Sequence, residues 1–379
     1  MINNQKKKKQ RREPQMLPRH RRIVSARIFS GTDPQAACGV FSHSAQGRSR
    51  QHRTIHGCRL ELCGVALILP LIILLLIKSS YIKEKRRMTQ FILSAFADEA
   101  NTALAGQIAA LKRNGIYNLE PRNIDGGILN KTPEELLEIR RELDANGIGI
   151  SALGSPIGKF DIHGDFDAYL EKFRKALSAC KILGTKRMRI FSFFVAPEEY
   201  ESCREEVLRR LTVLLDMAEA EGITLCHENE SMIYGQNPEQ VKDLLTSLPR
   251  LKGIFDAANY VMNDRDPIAG IEATLPSLEY LHIKDASFDK KCIQAAGEGD
   301  GRYEDVLKAV EANCEGTFFL TLEPHLHIFA AYRKIDSHKL KTGVDFASSD
   351  EAFDYAATAL KKLLTKLGYS EKEDHVWKK

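Results

Sequence analysis

The amino-acid sequence predicts an α/β fold, a (β/α)8 TIM barrel, over residues 88–379. Eight short apolar runs alternate with stretches of helical periodicity, and the last four runs each lead to Glu, Asp or His. Strands joined by returning helices lie parallel, so their carboxyl ends meet at one rim. A barrel of this kind needs roughly 250 residues, which this part of the chain supplies.

Each run is predicted to be a strand because it is short, apolar and bounded by turn or helix signals. The runs are FILSAF (91–96), GIYNLE (115–120), IGISAL (148–153), RMRIFSFF (187–194), GITLCHE (222–228), GIFDA (253–257), LEYLHIK (278–284) and TFFLTLE (317–323). Thr132 and Asn237 each precede a proline and an acidic residue, as N-cap residues do. Four glycines follow helical runs and favour a left-handed helix end: Gly115, Gly147, Gly184 and Gly222. A helix over residues 349–367 completes the pattern.

A doubly wound open sheet is the alternative fold. Such sheets bind dinucleotides through a glycine-rich loop after the first strand. The corresponding segment of this chain, FILSAFADEANT, contains no glycine. The sequence therefore favours the barrel.

Charge divides the chain of 379 residues into two parts. Residues 1–87 contain 19 Lys and Arg against 4 Asp and Glu, whereas residues 88–379 contain 36 against 47. Because an acidic body repels a phosphate backbone, the net charge of +4 does not indicate nucleic-acid binding. The eight cysteines form no CxxC pair, which favours a reducing compartment. Cys226 is interpreted as a buried core residue.

The first 87 residues are predicted to be a separate basic extension. Residues 1–60 have no sustained periodicity, which is typical of disorder. Residues 64–77 are apolar, but as a helix they rise only about 21 Å, less than a bilayer core, and Pro70 interrupts them. Three interpretations compete: a membrane anchor, an export signal, or an over-extended reading frame that starts at Met88. We favour the third, and hence a cytoplasmic protein, because a strand begins directly after Met88.

Four residues able to bind a divalent metal lie at the ends of the last four predicted strands. They are Glu228, Asp256, His282 and Glu323. Carboxylates are rarely buried unless they are paired or metal-bound. An ion pair or a helix cap explains any one of them equally well, but all four together favour one oxygen-rich metal site that polarises a substrate oxygen.

These segments resemble the xylose-isomerase-like superfamily of sugar and sugar phosphate isomerases and epimerases over nearly all of residues 88–379. The matching pieces are SAFADEA, HENESMIYG, FDAANY, HIKD, AAGEGDGRY and LEPH. The resemblance implies that Glu228, Asp256, His282 and Glu323 bind one divalent ion: Mn, Mg, Co or Zn. It indicates the fold more specifically than the reaction, because the superfamily includes epimerases, aldose–ketose isomerases, dehydratases and endonucleases.

The chemistry that the resemblance implies is proton transfer beside a carbonyl. Glu228 and Glu323 would be the catalytic acid and base on opposite faces of a sugar, acting through a metal-stabilised enediolate. Asn259 and Phe288 stand where the ketose 3-epimerases have a His and an Arg that touch substrate. Asn259 also replaces a zinc-binding His of the apurinic-site endonucleases, which favours one metal over three.

Four further residues are predicted to bind substrate. Glu120 and Arg122 either contact its hydroxyls or pair with each other, and Lys284 shares the strand parity of His282. Arg302 belongs to the loop GEGDGR (297–302), which either cradles a phosphate or only turns the chain into a helix.

Three neighbouring residues are given supporting roles. His227 points away from Glu228 by strand alternation and is expected to pack against a helix or to support the site. Asp285 is expected to orient a neighbour. His163 is expected to have a loop or helix-capping role rather than to bind a metal.

The predicted function is metal-dependent isomerisation or epimerisation of a small carbohydrate or polyol derivative. A lyase that dehydrates inososes or dehydroshikimate is the alternative enzyme, and a sugar-binding barrel without turnover is the non-enzymatic alternative. We expect no nucleic acid as a partner, and no membrane unless residues 64–77 are an anchor. The sequence leaves the oligomeric state open, including a homo-oligomer.

Overall fold

The computed structural model describes residues 88–327, 342 and 344–379. The predicted extension over residues 1–87 and its apolar segment lie outside the described residues, and the domain boundary before Met88 stays a prediction. Among the helices that the structure describes, none combines the length and the apolar character needed to cross a bilayer.

The eight predicted parallel strands are present and form a TIM barrel. In chain order the described strands are β1 (Thr89–Ala95), β2 (Asn118–Leu119), β3 (Gly149–Ile150), β4 (Arg187–Ile190), β5 (Thr224–Glu228), β6 (Lys252–Asp256), β7 (Leu278–Ile283), β8 (Asp285–Ser287), β9 (Cys292–Gln294), β10 (Gly316–Leu322), β11 (Ser370–Glu371) and β12 (Val376–Lys378). Parallel pairing runs from β4 through β5, β6, β7, β10 and β1 to β2 and β3. A parallel bridge between Leu153 and Met188 then joins the segment after β3 to β4.

Helices alternate with the barrel strands. They are α1 (Leu104–Arg113), α2 (Pro133–Ala145), α3 (Phe166–Leu183), α4 (Tyr200–Ala220), α5 (Pro238–Ser247), α6 (Ala257–Met262), α7 (Pro267–Thr274), α8 (Tyr303–Asn313) and α9 (Ser349–Lys366). Thr132 caps α2 as predicted, in a capping box with Glu135. Asn237 lies at the N-cap of α5, but its side chain makes no cap hydrogen bond and accepts one from Arg265 Nε instead (2.9 Å).

Several strands are shorter than predicted because their ends bond to other segments. Gly115 and Gly147 adopt the expected positive φ, and the amides that follow them return to helix carbonyls: Ile116 N donates to Leu111 O, and Ile148 N to Leu143 O. β2 and β3 therefore start late. β4 ends at Ile190 because the next backbone amides pair with residues 157–158.

Two antiparallel hairpins were not predicted. β8 and β9 pair with each other directly after β7. β11 and β12 pair at the end of the chain, and β12 also pairs with β1, opposing Trp377 to Phe91. Short strands with polar residues carry little apolar periodicity, so the sequence pattern does not reveal them.

A small apolar layer fills the barrel interior and fixes the direction of the strand ends. Its buried members come from four strands or strand ends: Ala152, Cys226, Ile254 and Tyr280. Successive side chains of a strand alternate between its faces, so residues two positions further along point the same way. Glu228, Asp256 and His282 therefore lie on the inner face, one layer above. Cys226 is a core residue, as predicted.

Candidate metal centre

The four predicted metal ligands lie together at the carboxyl end of the barrel. Glu228 and Asp256 are the last residues of β5 and β6, His282 is the penultimate residue of β7, and Glu323 directly follows β10. All four are buried, and one ligand atom from each lies within 4.8 Å of every other. The register places Asp256 opposite His282 across the β6–β7 pair.

The cluster fits a divalent cation by the chemistry of its donors. His282 Nδ1 lies 3.0 Å from Glu228 Oε1 and 3.7 Å from Glu323 Oε2. Both His282 Nδ1 and Asp256 Oδ2 are buried without a well-directed hydrogen bond to any described residue, although Asp256 Oδ2 is 3.0 Å from Lys284 Nζ. Three carboxylates and one imidazole, the imidazole with a buried nitrogen that makes no directed hydrogen bond, suit a hard or borderline divalent ion.

Two arginines bind the outer oxygens of the catalytic candidates. Arg122 Nη1 donates to Glu323 Oε1 (2.7 Å), and Arg189 Nη1 donates to Glu228 Oε2 (3.1 Å). Both guanidinium groups lie over the ring of Phe96, at 4.4 and 4.9 Å from its centroid. The sequence interpretation missed Arg189. A cationic residue in the apolar run RMRIFSFF was the available signal, because Arg is almost never buried unpaired.

A second acidic group lies beside Glu323. Arg122 also donates to Asp98 Oδ2 (3.0 Å) and to Glu99 Oε1 (3.2 Å). Glu99 Oε2 accepts the backbone N–H of His325 (2.6 Å), whose φ of 47° lies in the left-handed region. Glu99, Glu323 and His325 themselves bring three ligand atoms within 4.8 Å of one another. Asp98, Glu99 and His325 occur in the matched motifs SAFADEA and LEPH but were given no role.

The carboxylates of the cluster differ in pKa because neighbouring charges act on them to different extents. Burial would raise the pKa of Glu228, but the positive charges of His282 and Arg189 outweigh it and lower the pKa to about 2. The pKa of Glu323 is likewise held well below its usual range, because Lys284 and other cations overcome the effect of burial. Burial raises the pKa of Asp256 to about 7 despite Lys284. Glu228 and Glu323 are therefore ionised near neutral pH, where Asp256 is only partly ionised.

The residues predicted to bind substrate have different surroundings. Lys284 is buried and contacts Asp256 and, at 3.3 Å, Glu323 Oε2. Glu120 is fully buried; Tyr280 Oη donates to its Oε1 (3.0 Å), and His282 Nε2 lies 3.3 Å from its Oε2. Both carboxylate oxygens of Glu120 thus face residues of the chain itself, and its contact with substrate hydroxyls stays a prediction.

The glycine-rich loop binds a carboxylate of the chain itself. The backbone amides of Gly297 and Gly299 donate to Asp285 Oδ2 (2.9 and 3.1 Å), and that of Gly301 donates to Asp285 Oδ1 (2.8 Å). The predicted phosphate cradle is therefore filled by an internal anion. Arg302 is exposed and pairs with Asp305 (2.8 Å), so its observed contacts do not favour the predicted role in substrate binding.

The remaining histidines and Asn259 lie around the centre or away from it. His227 is buried against Ser192 Oγ (3.0 Å), and burial lowers the pKa of His227 to about 4. His163 is exposed and contacts Glu199 (3.2 Å). Asn259 Nδ2 donates to Asn229 O (2.8 Å) and lies 3.4 Å from Glu228 Oε1.

Barrel and cluster together define a class: a (β/α)8 protein with a buried carboxylate–imidazole centre at the carboxyl ends of its strands. The family profile described as xylose isomerase-like TIM barrel matches residues 108–347, and the chain belongs to this family. A comparison with curated proteins gave no match.

Solved structures share the fold at low sequence identity. The probable 3-DHS dehydratase AsbF of Bacillus anthracis is 14% identical, with a TM-score of 0.56 over 72% of this chain and 98% of that one. The IolI protein with a bound zinc atom is 17% identical, with a TM-score of 0.56 over 73% and 99%. The D-psicose 3-epimerase of Clostridium cellulolyticum H10, determined with D-tagatose, is 15% identical, with a TM-score of 0.54 over 73% and 99%.

Proposed function

We propose that this protein is a divalent-metal-dependent isomerase or epimerase of a small carbohydrate or polyol derivative. The observation that carries the proposal is the convergence of Glu228, Asp256, His282 and Glu323 in one buried cluster. An ion bound by these residues would polarise a substrate carbonyl and stabilise an enediolate. Membership of a family whose solved relatives include an epimerase and a zinc-containing protein supports this assignment.

Glu228 and Glu323 are proposed to move the proton. Their pKa values lie below the usual carboxylate range, so both are ionised near neutral pH and either can accept a carbon-bound proton. Once one has accepted it, that carboxyl group can return the proton to a neighbouring carbon. For inversion, the opposite carboxylate first takes a proton from solvent and then delivers it to the other face, while the first carboxyl group releases its own proton to solvent. The arginines keep each carboxylate in place through its outer oxygen.

Lys284 is proposed to hold Asp256 and Glu323 and to touch a substrate oxygen. Its ammonium group lies between the two carboxylates at 3.0 and 3.3 Å. A lysine in this position neutralises the charge of two buried carboxylates. Two of its three ammonium hydrogens face these carboxylates, which leaves the third for a ligand. We propose a small polyol rather than a macromolecule as the partner. A cytoplasmic location stays a prediction.

Dehydration of a related substrate is the second candidate function. Asn259 and Phe288 depart from the substrate-binding residues of ketose 3-epimerases, and a solved relative is a probable dehydratase. The same proton abstraction would lead to loss of a neighbouring hydroxyl group. Dehydration produces a conjugated product with ultraviolet absorbance, whereas isomerisation does not.

The test is metal analysis of the full chain, followed by proton exchange in heavy water on a panel of ketoses, inososes and dehydroshikimate. We expect metal-dependent deuterium incorporation that falls roughly 10²–10⁴-fold in Glu323→Gln. Glu221→Gln is the control, the same change at an exposed residue paired with Lys181. Full exchange by metal-free protein would overturn metal dependence, and undiminished exchange by Glu323→Gln would remove that residue from the mechanism.

A further inference from the structure

We propose that Glu120 is a positioning residue that selects Nδ1 of His282 as the metal-binding nitrogen. This inference rests on the proposed function, since it needs an ion at the cluster. Glu120 directly follows β2, which lies three strands from β7 in the closed sheet, and it is 162 positions from His282 in the chain. Its Oε2 lies 3.3 Å from His282 Nε2.

The two ring nitrogens of His282 face different partners. A carboxylate oxygen accepts hydrogen bonds, so the contact between Glu120 Oε2 and His282 is a hydrogen bond when Nε2 carries a proton. The lone pair of the neutral ring is then on Nδ1, which lies 3.0 Å from Glu228 Oε1 and 3.7 Å from Glu323 Oε2. Nδ1 therefore points among the other proposed ligands. Holding the proton on Nε2, so that Nδ1 is the nitrogen that binds an ion, is the usual contribution of such a carboxylate partner.

Glu120 is itself held in place. Tyr280 Oη donates to its Oε1 (3.0 Å), and its backbone amide donates to Ala95 O (3.0 Å). Tyr280 precedes His282 by two residues on the same face of β7, so one strand supplies both the tyrosine and the imidazole. The rings of Tyr280 and Phe96 meet the imidazole edge-on, with centroids at 5.4 and 5.1 Å.

Burial distinguishes this role from substrate binding. Glu120 has no exposed surface, and each carboxylate oxygen already has a partner. A carboxylate in this position affects the substrate only through its contact with His282. Its loss is expected to change how the metal is held before it changes any step of turnover.

The test compares metal affinity in the full chain and two matched variants. Zn²⁺ is titrated by competition with a chelator of known affinity. Glu120→Gln keeps the side-chain volume and removes the charge. It should raise the dissociation constant for Zn²⁺ by about 10–100-fold. Glu279→Gln, the same change one residue before Tyr280 at a carboxylate paired with Arg187, should leave it unchanged.

A tautomer measurement on the unmodified protein needs no variant to fold. In cadmium NMR of the Cd²⁺-loaded chain, a three-bond coupling reaches only Hε1 of His282 if Nδ1 binds the ion, but reaches both Hε1 and Hδ2 if Nε2 binds it. Coupling to Hδ2 would overturn the inference, as would equal Zn²⁺ affinity of Glu120→Gln and the unmodified chain. If the unmodified chain binds neither ion, the metal site and the proposed function fail together.

Discussion

Lys284 places an ammonium group between two buried carboxylates, and its removal gives a sharp test of the site. Its Nζ lies 3.0 Å from Asp256 Oδ2 and 3.3 Å from Glu323 Oε2, and only 5% of the residue is exposed. Lys284→Met keeps most of the stem and removes the charge. Breaking a buried ion pair by deleting one partner costs about 3–5 kcal/mol, so we expect a loss of that size in metal-free protein.

The loss should depend on metal and on pH. A bound divalent ion supplies positive charge to the same carboxylates, so the metal-saturated variant should lose less stability than the metal-free variant. Burial, opposed by Lys284, raises the pKa of Asp256 to about 7, and removing the lysine raises that pKa further. Protonation of Asp256 then relieves the unpaired charge at low pH. The destabilisation caused by Lys284→Met should therefore increase as the pH rises from below to above about 7, the pKa of Asp256 in the unmodified protein.

Urea unfolding with chelator and with saturating Zn²⁺ measures both effects. Lys186→Met, the same change at an exposed position, is the control and should shift stability by less than about 0.5 kcal/mol. A loss below about 1 kcal/mol in the metal-free Lys284 variant would refute the argument that this lysine compensates buried carboxylates. An equal loss with and without Zn²⁺ would refute the argument that the ion occupies the same site.

Three further predictions concern the ligands and the loop. Asp256→Ala should mainly lower metal occupancy, measured by elemental analysis after dialysis; unchanged metal content would show the ligand set to be wrong. Burial would lower the pKa of His282, but Glu228 and Glu120 outweigh it and raise the pKa to about 10. Metal binding must therefore displace a proton, and affinity should rise by up to about tenfold per pH unit below that value, while pH-independent affinity in calorimetry would contradict this. Asp285→Asn turns an amide NH₂ toward backbone donors and should cost about 1–3 kcal/mol in thermal unfolding, whereas an unchanged midpoint would argue that the Asp285 contacts do not stabilise the loop.

The glycine-rich loop illustrates why a motif alone did not decide its ligand. Several backbone amides and an arginine predict an anion, and an anion is present. It is the carboxylate of Asp285, which lies before the loop in the chain and is brought into it by the β8–β9 hairpin. Burial raises the pKa of Asp285, while the amide hydrogen bonds oppose that effect. Only the path of the hairpin distinguishes an internal anion from an external one.

The charged residues around Glu228 and Glu323 show the same limit. Arg189 follows the strand pattern as an ordinary interior position, and Asp98 lies in a short 3₁₀ helix after β1. Neither has a local signal for its partner. Arg122 pairs with Asp98, Glu99 and Glu323 because β2, β1 and β10 are neighbours in the closed sheet.

The sequence by itself determined the eight parallel strands, several helix ends and the four residues that meet at the rim. These follow from alternation along a strand, from capping and from left-handed glycines, which are properties of a few neighbouring residues. Tertiary structure alone decided the partners of each charge: Glu120 with His282, Arg189 with Glu228, and Asp285 with the glycine loop. A buried charge pairs with the group that the closed barrel brings within hydrogen-bond distance. Local sequence does not determine that distance.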